Sequence, residues 1–422
     1  ARARNACFLF PMPVAVAGDA AERAAKRRRQ AASVPFEVTM PSVLKFGAGC
    51  SRTLPAILEQ LSLSRPLIIT DAFIAKSGLI DPIISALLDA GVKAMQFSDC
   101  VPDPTTESVA AGLSVWTETP PAARPDCMVA IGGGSSIDTA KAIAILAVHG
   151  GKMRDYKAPA PVPAGLPVIA IPTTAGTGSE VTRATIITDM ETNEKMLIMG
   201  FGCMPRAALV DHELTMSMPY RLTADSALDA LCHAMEAFVS RKHNAFSDTH
   251  ALAAMRTIPE SLRSVCTDLS DEVAREALMI AATHAGIAFS NASVTLIHGL
   301  SRPIGCHFHV PHGLSNAMLL PAVTEFSLAG APARYAMCSR AMGFAADADD
   351  DATAGAQLIA GLVSLCSELR VPSPKTFGIA EGRYMELLET MAEQALASGS
   401  PNNNPVVPTK EQCAALYRRI YE

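Results

Sequence analysis

The chain has 422 residues, which is long enough for about two domains with a large hydrophobic core. Apolar residues make up 49% of it, charged residues make up 18%, and the formal net charge is -6. This balance is typical of a slightly acidic globular protein and does not indicate a nucleic-acid partner. No run of 18 or more apolar residues occurs, which argues against a membrane-spanning helix.

The first segment, residues 1–35, differs in composition from the rest of the chain. It carries seven Arg or Lys residues against two acidic ones, with a basic cluster at residues 26–29 and a short apolar run broken by prolines. We interpret it as an organellar transit segment, a weak signal-like sequence or vector-derived residues, and we expect it to be poorly ordered.

The cysteines bear on the cellular compartment and on any metal site. Eleven of them are scattered along the chain, an odd number without a CxxC pair, which indicates free thiols in a reducing compartment. We therefore predict a location in the cytoplasm or the mitochondrial matrix. Any metal site in such a chain should be built from histidine and carboxylate side chains.

Residues 36–218 alternate short apolar runs with longer helical patterns. Such alternation predicts an α/β domain with parallel strands and crossover helices. The predicted strands lie in RPLIITD (65–71), AMQFSD (94–99), CMVAIGGG (127–134) and LPVIAIPTT (166–174). The predicted helices lie at 78–91, 107–116 and 138–150.

Residues 219–422 lack strand signals and consist of long segments rich in Ala and Leu. These segments predict an all-helical domain, with helices at 222–241, 245–265, 272–292, 358–370 and 381–396. An α/β domain followed by a helical one favours a ligand site in the cleft between them.

Two loops in the α/β domain have the composition of a phosphate site. In CMVAIGGGSSIDTAKAIA (127–144), three glycines follow a strand and precede a helix, so the backbone can approach a pyrophosphate at the helix N-terminus. Ser135 or Ser136 is expected to cap that helix. The pattern departs from GxGxxG because Ile137 takes the third glycine's place, and a glycine turn without a ligand is the alternative.

The second loop, IPTTAGTGSEVT (171–182), follows another strand and is rich in glycine and hydroxyl groups. In a parallel sheet both loops share one edge, where ligands bind. Asp71 ends the strand LIITD in a position from which its carboxylate could bond a ribose 2′-hydroxyl. That placement favours NAD(H) over NADP(H), because the carboxylate would repel the 2′-phosphate of NADP(H).

The helical domain carries two groups of polar residues in apolar surroundings. In DALCHAMEA (229–237), Asp229 and His233 are four residues apart and therefore neighbours on one helix face; a hydrogen bond between them is one explanation and a metal site is the other. The stretch 290–321 adds His298, His307, His309 and His312. Spacing alone does not choose among these four.

Four motifs in this order resemble the iron-containing (group III) alcohol dehydrogenase family, which shares its fold with dehydroquinate synthase. They are GGGSSIDTAKAIA, PTTAGTGSEVT, DALCHAMEAFVS and HGLSRPIGCHFHVPHGLSNAMLLP, and the likeness runs from about residue 41 to 411. The resemblance implies a divalent metal, Fe²⁺ or Zn²⁺, held by Asp229, His233, His298 and His312. It leaves His307 and His309 as loop residues.

The resemblance also implies a bound NAD(H). The positions that match the family's dinucleotide contacts are Asp71, Gly133, Gly134, Ser135, Asp138, Thr173, Thr174, Thr177 and Lys195.

Arg302 departs from the family pattern, since many members have a histidine there that is implicated in proton handling. Arginine stays protonated near pH 7 and is a poor general base. One explanation for Arg302 is a structural ion pair. The other is a bidentate clamp on a substrate carboxylate, one helical turn from His298.

These features predict a metal-dependent NAD(H) oxidoreductase that interconverts an alcohol or hydroxyacid with its aldehyde or ketone. A hydroxyacid–oxoacid transhydrogenase that keeps its nicotinamide bound is the main alternative, and an inactive binding or assembly relative is a weaker one. The expected partners are a small-molecule substrate and further copies of the chain, as a homodimer or larger, with no nucleic acid and no membrane.

Overall fold

The N-terminal half is built on a parallel sheet. The computed structural model describes residues 35–192 and 194–422. Within them the strands are β1 (Val43–Phe46), β2 (Pro66–Asp71), β3 (Met95–Cys100), β4 (Cys127–Gly132), β5 (Val168–Pro172), β6 (Ala184–Asp189), β7 (Glu194–Met199) and β8 (Ala207–Val210). The main sheet has the order β1-β8-β5-β4-β2-β3 with every neighbouring pair parallel. The predicted parallel strands are therefore confirmed.

Helices cover both faces of this sheet. They are α1 (Leu54–Gln60), α2 (Ala72–Lys76), α3 (Asp81–Asp89), α4 (Thr106–Glu118) and α5 (Gly134–His149). Successive strand residues alternate between two cores: Ile68 packs in the core that contains α1 and α3, whereas Leu67 and Ile69 pack in the core that contains α5. Because both faces are buried, these strands read as continuous apolar runs.

The start of α5 differs from the prediction in one respect. The helix begins at Gly134 with Gly133 as its N-cap residue, and no side chain caps it. The expectation that Ser135 or Ser136 acts as the cap is therefore wrong, because both serines already lie inside the first turn. The glycine N-cap leaves the backbone N–H groups at this terminus without a side-chain acceptor.

Between β5 and β8 in the chain, strands β6 and β7 form a separate two-stranded antiparallel hairpin. The sequence patterns did not predict it. Residues of β6 alternate between buried and partly buried along the strand, as expected for a hairpin covered on one face.

The second half is helical, as predicted, and no strand occurs after β8 in the described chain. Its helices are α6 (Tyr220–Val239), α7 (Ala245–Thr267), α8 (Glu272–Ser290), α9 (Leu296–Phe308), α10 (His312–Ser327), α11 (Pro332–Ala341), α12 (Asp351–Glu368), α13 (Pro374–Phe377), α14 (Glu381–Glu386), α15 (Leu388–Ala397) and α16 (Lys410–Ile420). Every residue of α6 from Ala227 to Val239 is buried. Polar side chains on that stretch must therefore find partners inside the protein.

Residues 39–422 form one compact unit. None of the helices described is both long and apolar enough to cross a membrane. All ten cysteines between Cys50 and Cys413 are free thiols. The predicted N-terminal extension, residues 1–35, lies outside the described residues except for its last position.

Candidate active site

Three candidate ligand side chains converge from three helices. Asp229 comes from α6, His298 from α9 and His312 from the first position of α10. Asp229 Oδ1 lies 3.4 Å from His298 Nε2 and 3.8 Å from His312 Nε2. One ligand atom from each residue lies within 4.8 Å of the others, which is close enough for a single ion to contact all three.

His233 lies beside this group of three. Its Nε2 is 3.8 Å from Asp229 Oδ1, which is too long for a hydrogen bond, so a simple pair between these two residues does not account for them. Its ring stacks between Phe289 and His298, with centroids 4.2 and 4.5 Å away. Its Nδ1 is buried, and no hydrogen-bond partner for it occurs in the described part of the chain. The structure thus places His233 at the edge of the cluster.

The turn between α9 and α10 positions His312. His309, the C-cap residue that follows α9, has the left-handed conformation (φ 55°), and Pro311 precedes the first residue of α10. At the next position, a Cβ built on Gly313 would lie 2.3 Å from the backbone oxygen of Asp225, so only glycine allows α10 to approach α6 this closely.

The other two histidines of residues 290–321, His307 and His309, lie outside this group of ligands. His307 belongs to the last turn of α9, so its placement in a loop was wrong, and its Nε2 contacts Gln394 Oε1 at 2.8 Å. Neither His307 nor His309 belongs to the cluster.

Asn316 is a site residue that the sequence did not reveal. One turn after His312 on α10, it is fully buried, and its Nδ2 lies 2.7 Å from Asp229 Oδ1, 3.1 Å from His298 Nε2 and 3.4 Å from His312 Nε2. Its Oδ1 has no hydrogen-bond partner among the residues that the structure describes. The only available signal was its position in HGLSNA, four residues after a histidine.

Glu236 is a second residue that the sequence analysis missed. It is the second-to-last residue of the DALCHAMEA stretch on α6, and its carboxylate pairs with His298 Nδ1. Its other oxygen accepts hydrogen bonds from Thr295 Oγ1 and from the backbone N–H of Ile297, both at 2.7 Å.

The charges of the cluster are set by burial and by its own members. Burial opposes ionisation of Asp229, but the surrounding imidazoles, His233 first among them, hold the pKa of this carboxyl well below its usual range. Burial lowers the pKa of His233 to about 3. Burial also disfavours charge on His298, but Glu236 and Asp229 outweigh it and raise the pKa of His298 to about 9.

The donor set fits a divalent cation. A carboxylate oxygen and imidazole nitrogens are ligands that both Zn²⁺ and Fe²⁺ accept. The amide hydrogens of Asn316 already place partial positive charge among the three ligand atoms, while the orphaned Asn316 Oδ1 shows that hydrogen bonding is incomplete there. The side chain of His312 is 44% exposed, whereas those of Asp229 and His298 are buried, so the cluster opens on the His312 side.

Arg302 lies one helical turn after His298 on α9. It is half-buried, and its Nη1 lies 3.3 Å from Ser400 Oγ. Among the residues that the structure describes, no carboxylate forms an ion pair with it, so the structural ion pair considered for Arg302 is not observed. Burial, opposed by Asp229, lowers the pKa of His312 to about 4, and the positive charges of His298, Lys195 and Arg302 add to the lowering.

The two glycine-rich loops lie against each other. A Cβ built on Gly133 would be 3.4 Å from Thr174 Cγ2, and one built on Gly134 would be 2.9 Å from Thr177 Cγ2. The backbone of Thr173 donates to Gly132 O at 3.0 Å. The predicted cofactor residues of both loops are thus brought together at the carboxyl ends of β4 and β5.

Asp71 lies next to these loops. It ends β2 and caps α2 by accepting the backbone N–H of Ile74 at 2.9 Å. Its second oxygen, Oδ2, would lie 4.0 Å from a Cβ built on Gly132. One carboxylate oxygen therefore faces the glycine loop while the other caps the helix.

The side chains of Asp138 and Lys195 both bind other groups of the protein. Asp138 Oδ1 accepts from Ser179 Oγ at 2.6 Å, and Asp138 Oδ2 accepts from the backbone N–H of Ile186 at 2.9 Å. Lys195 Nζ on β7 lies 2.8 Å from Asp103 Oδ1. Asp138 therefore contacts the second loop through Ser179, Lys195 pairs with a carboxylate, and the roles of both residues as cofactor contacts stay predictions.

Comparisons with known proteins agree with this arrangement. The family model for iron-containing alcohol dehydrogenase matches residues 41–212, and the model for the C-terminal region of Fe-containing alcohol dehydrogenases matches residues 223–421. An NAD-dependent methanol dehydrogenase from Bacillus methanolicus is 34% identical over 90% of this chain and 98% of its own. Alcohol dehydrogenase 4 from Saccharomyces cerevisiae strain YJM789 is 36% identical over 91% and 98%.

A solved structure shows the same architecture. The crystal structure of a 1,3-propanediol oxidoreductase superposes with a TM-score of 0.87 at 31% identity, covering 92% of this chain and 100% of that one. The predicted fold class, an α/β dinucleotide-binding domain followed by a helical domain, is thereby confirmed.

Proposed function

Because the chain belongs to the iron-containing alcohol dehydrogenase family, we propose that it interconverts an alcohol with its aldehyde or ketone, using NAD(H) and a divalent metal. Membership confirms the resemblance seen in the four motifs and the prediction that the chain is an oxidoreductase. The family implies a nicotinamide dinucleotide and a metal. The ligand set, the ion and the substrate are our proposals.

The observation that carries the proposal is the convergence of Asp229, His298 and His312 within 4.8 Å, with His233 beside them. We assign all four as metal ligands. A divalent ion at this position would supply Lewis acidity, which lowers the pKa of a bound alcohol. The four side chains would hold that ion, and the exposed His312 side would leave it accessible to a substrate.

The cofactor is proposed to be NAD(H), with its pyrophosphate at the glycine N-cap of α5 and its adenosine ribose at Asp71. Three features support this placement: the close contact of the two loops, the uncapped helix terminus, and the Asp71 oxygen that faces the glycines. The negative charge of Asp71 would repel the 2′-phosphate of NADP(H).

Metal content and NAD⁺ reduction on anaerobically purified protein test the proposal together. We expect about one metal ion per chain and NADH formation with short alcohols, and loss of both in His298→Ala. His307→Ala is the matched control, because His307 lies on the same helix but contacts Gln394. Absence of metal in the wild-type protein under all loading conditions would contradict the ligand assignment.

The same assay separates the transhydrogenase alternative. An enzyme that keeps its nicotinamide bound would contain metal and would pass hydride from a hydroxyacid to an oxoacid, yet would release no NADH from an alcohol alone. Such an outcome would replace the dehydrogenase proposal.

A second candidate function has a narrower substrate class, in which the alcohol also bears a carboxylate. Arg302 favours it, since among the described residues this guanidinium has no ion-pair partner and hydrogen-bonds to Ser400 Oγ alone, and it lies one turn from His298. A planar guanidinium binds carboxylates in a bidentate manner.

Matched substrate pairs test this candidate, for example butan-1-ol against 4-hydroxybutyrate. Arg302→Ala should lower kcat/KM for the hydroxyacid by about 10- to 100-fold, as expected for a charged hydrogen bond worth about 1.5–3 kcal/mol. The neutral alcohol should be affected much less. Equal losses on the two substrates would remove the argument for a hydroxyacid.

A further inference from the structure

Glu236 occupies a position that the proposed chemistry does not by itself require. It is 1% exposed, lies three residues after His233 on α6, and reaches across to the start of α9. Its Oε1 accepts from Thr295 Oγ1 and from the backbone N–H of Ile297, both at 2.7 Å, while its Oε2 pairs with His298 Nδ1. The carboxylate thus bridges the helix that carries Asp229 and the helix that carries His298.

The pairing decides which nitrogen of His298 carries hydrogen. An ionised carboxylate only accepts hydrogen bonds, so the Nδ1 that faces Glu236 must be the protonated nitrogen. The other nitrogen, Nε2, faces Asp229 Oδ1 at 3.4 Å and Asn316 Nδ2 at 3.1 Å. With Nδ1–H bound to Glu236, Nε2 is the nitrogen whose hydrogen a metal ion would displace, and its lone pair would then point into the cluster.

We propose that Glu236 is a positioning residue that holds His298 in the Nδ1–H tautomer and thereby makes Nε2 available as a metal ligand. Carboxylates that accept the second ring N–H of a metal-binding histidine fix both its tautomer and its ring orientation. This inference rests on the proposed function through the assignment of His298 as a ligand.

The substitution Glu236→Gln tests this role, because neighbouring hydrogen-bonding groups fix the orientation of the glutamine amide. The backbone N–H of Ile297 cannot be reversed, so the amide oxygen of the glutamine must take the place of Oε1. Its NH₂ group then faces His298 Nδ1 and donates to it. That contact favours the Nε2–H tautomer, whose Nε2 has no lone pair for a metal.

The experiment compares the affinities of wild type, Glu236→Gln and Thr295→Val for Zn²⁺, measured by competition with a chromophoric chelator. We expect Glu236→Gln to weaken Zn²⁺ binding by about 10- to 100-fold, the usual effect of losing such a partner. Thr295→Val removes a hydrogen bond to the same carboxylate but leaves His298 Nδ1 paired, so we expect its Zn²⁺ affinity to stay within a few-fold of wild type.

Two further measurements separate this role from a structural one. The far-UV circular dichroism of metal-free Glu236→Gln should match that of wild type, which shows that the variant folds, and its visible spectrum with Co²⁺ should differ from the wild-type spectrum. If Glu236→Gln binds Zn²⁺ as tightly as wild type, the inference is overturned while the proposed function stands. If the wild-type protein binds no Zn²⁺ at all, the proposed function itself fails.

A measurement on the wild-type protein covers the case in which the glutamine variant does not fold. In ¹⁵N-histidine-labelled protein loaded with Zn²⁺, the ring nitrogens of His298 can be assigned by comparison with His298→Gln. We expect a protonated Nδ1 and a metal-bound Nε2. The reverse pattern would overturn the inference without any variant of Glu236.

Discussion

The amide of Asn316 donates to Asp229 Oδ1 across 2.7 Å, although the two residues are 87 positions apart in the chain. The same Nδ2 lies within 3.4 Å of the Nε2 atoms of His298 and His312, so one amide group faces three ligand atoms. In the absence of an ion, this amide adds a direct hydrogen bond to the compensation that the surrounding imidazoles give to the buried negative charge of Asp229.

Replacing Asn316 by aspartate should make the protein depend on metal. The substitution removes the donor and places a second carboxylate beside Asp229, so the free energy of unfolding of the metal-free protein should fall by about 1–3 kcal/mol. A divalent ion would compensate both charges. The rise in melting temperature on adding Zn²⁺ should therefore be larger in Asn316→Asp than in wild type.

The neighbouring substitution Ser315→Ala is the matched control. Ser315 is equally buried, but its hydroxyl bonds to the backbone oxygen of His312 and not to a ligand atom. We expect its response to Zn²⁺ to equal that of wild type. An Asn316→Asp protein with the wild-type response would contradict the compensating role of the amide.

Lys141 should contribute strongly to stability, although it lies outside the metal cluster. Its side chain is fully buried on α5, and Nζ contacts Ala184 O at 2.8 Å, Thr182 O at 3.1 Å and Asp138 Oδ1 at 4.0 Å. Lys141→Met leaves the carboxylate of Asp138 without its cation. The free energy of unfolding should fall by about 3–5 kcal/mol, as measured by urea denaturation.

A double substitution distinguishes loss of charge pairing from poor packing. In Lys141→Met/Asp138→Asn, both charges are gone, so stability should recover part of the loss. If the double variant loses as much free energy of unfolding as the two single variants lose together, the two residues do not act as a pair.

Asp71 should set the choice between NAD(H) and NADP(H). Asp71→Asn keeps the cap of α2, because asparagine also accepts the backbone N–H of Ile74, but it removes the negative charge that would face a 2′-phosphate. We expect kcat/KM for NADP⁺ to rise by at least about tenfold, since like charges in contact cost several kcal/mol. The value for NAD⁺ should fall. Asp81→Asn, at the first position of α3, is a control for loss of charge elsewhere.

Physical reasons explain which elements the sequence predicted well. The strands β2, β4 and β5 are buried on both faces, so each is a continuous apolar run that stands out in the sequence. The hairpin β6–β7 was missed because its alternation is short and partly exposed. Because the hairpin was missed, the hydrogen bond that the backbone N–H of Ile186 on β6 donates to the carboxylate of Asp138 was also not predicted.

The residues of the candidate site likewise fall into those that the sequence predicted and those that it did not. Asp229, His233, His298 and His312 were predicted as ligands because their residue types and order match the family motifs, and the structure brings the first, third and fourth of them within 4.8 Å of one another. The roles of Asn316 and Glu236 could not be predicted, because they depend on how closely α6, α9 and α10 approach one another. That approach is decided by tertiary packing, including the contact of Gly313 with the backbone of Asp225.

Glu180 should lower stability at neutral pH, and its removal should change the pH dependence of unfolding. This residue of the second loop is 3% exposed, accepts a hydrogen bond from Thr283 Oγ1 at 3.0 Å, and has a pKa raised by burial above its ordinary value of 4.5. Between pH 4.5 and the raised pKa, the folded protein binds more protons than the unfolded chain. The stability contributed by this group is therefore present at low pH and is lost as pH rises through that interval.

Glu180→Gln removes the ionisation and keeps the shape of the side chain. We expect its melting temperature to exceed that of wild type at pH 8 and the difference to shrink towards zero near pH 4.5, as followed by thermal denaturation across a buffer series. Thr283→Val should act in the opposite direction at pH 8, because it withdraws the hydroxyl that stabilises the charged form. A difference between Glu180→Gln and wild type that does not vary with pH would show that burial of this carboxylate does not control the effect.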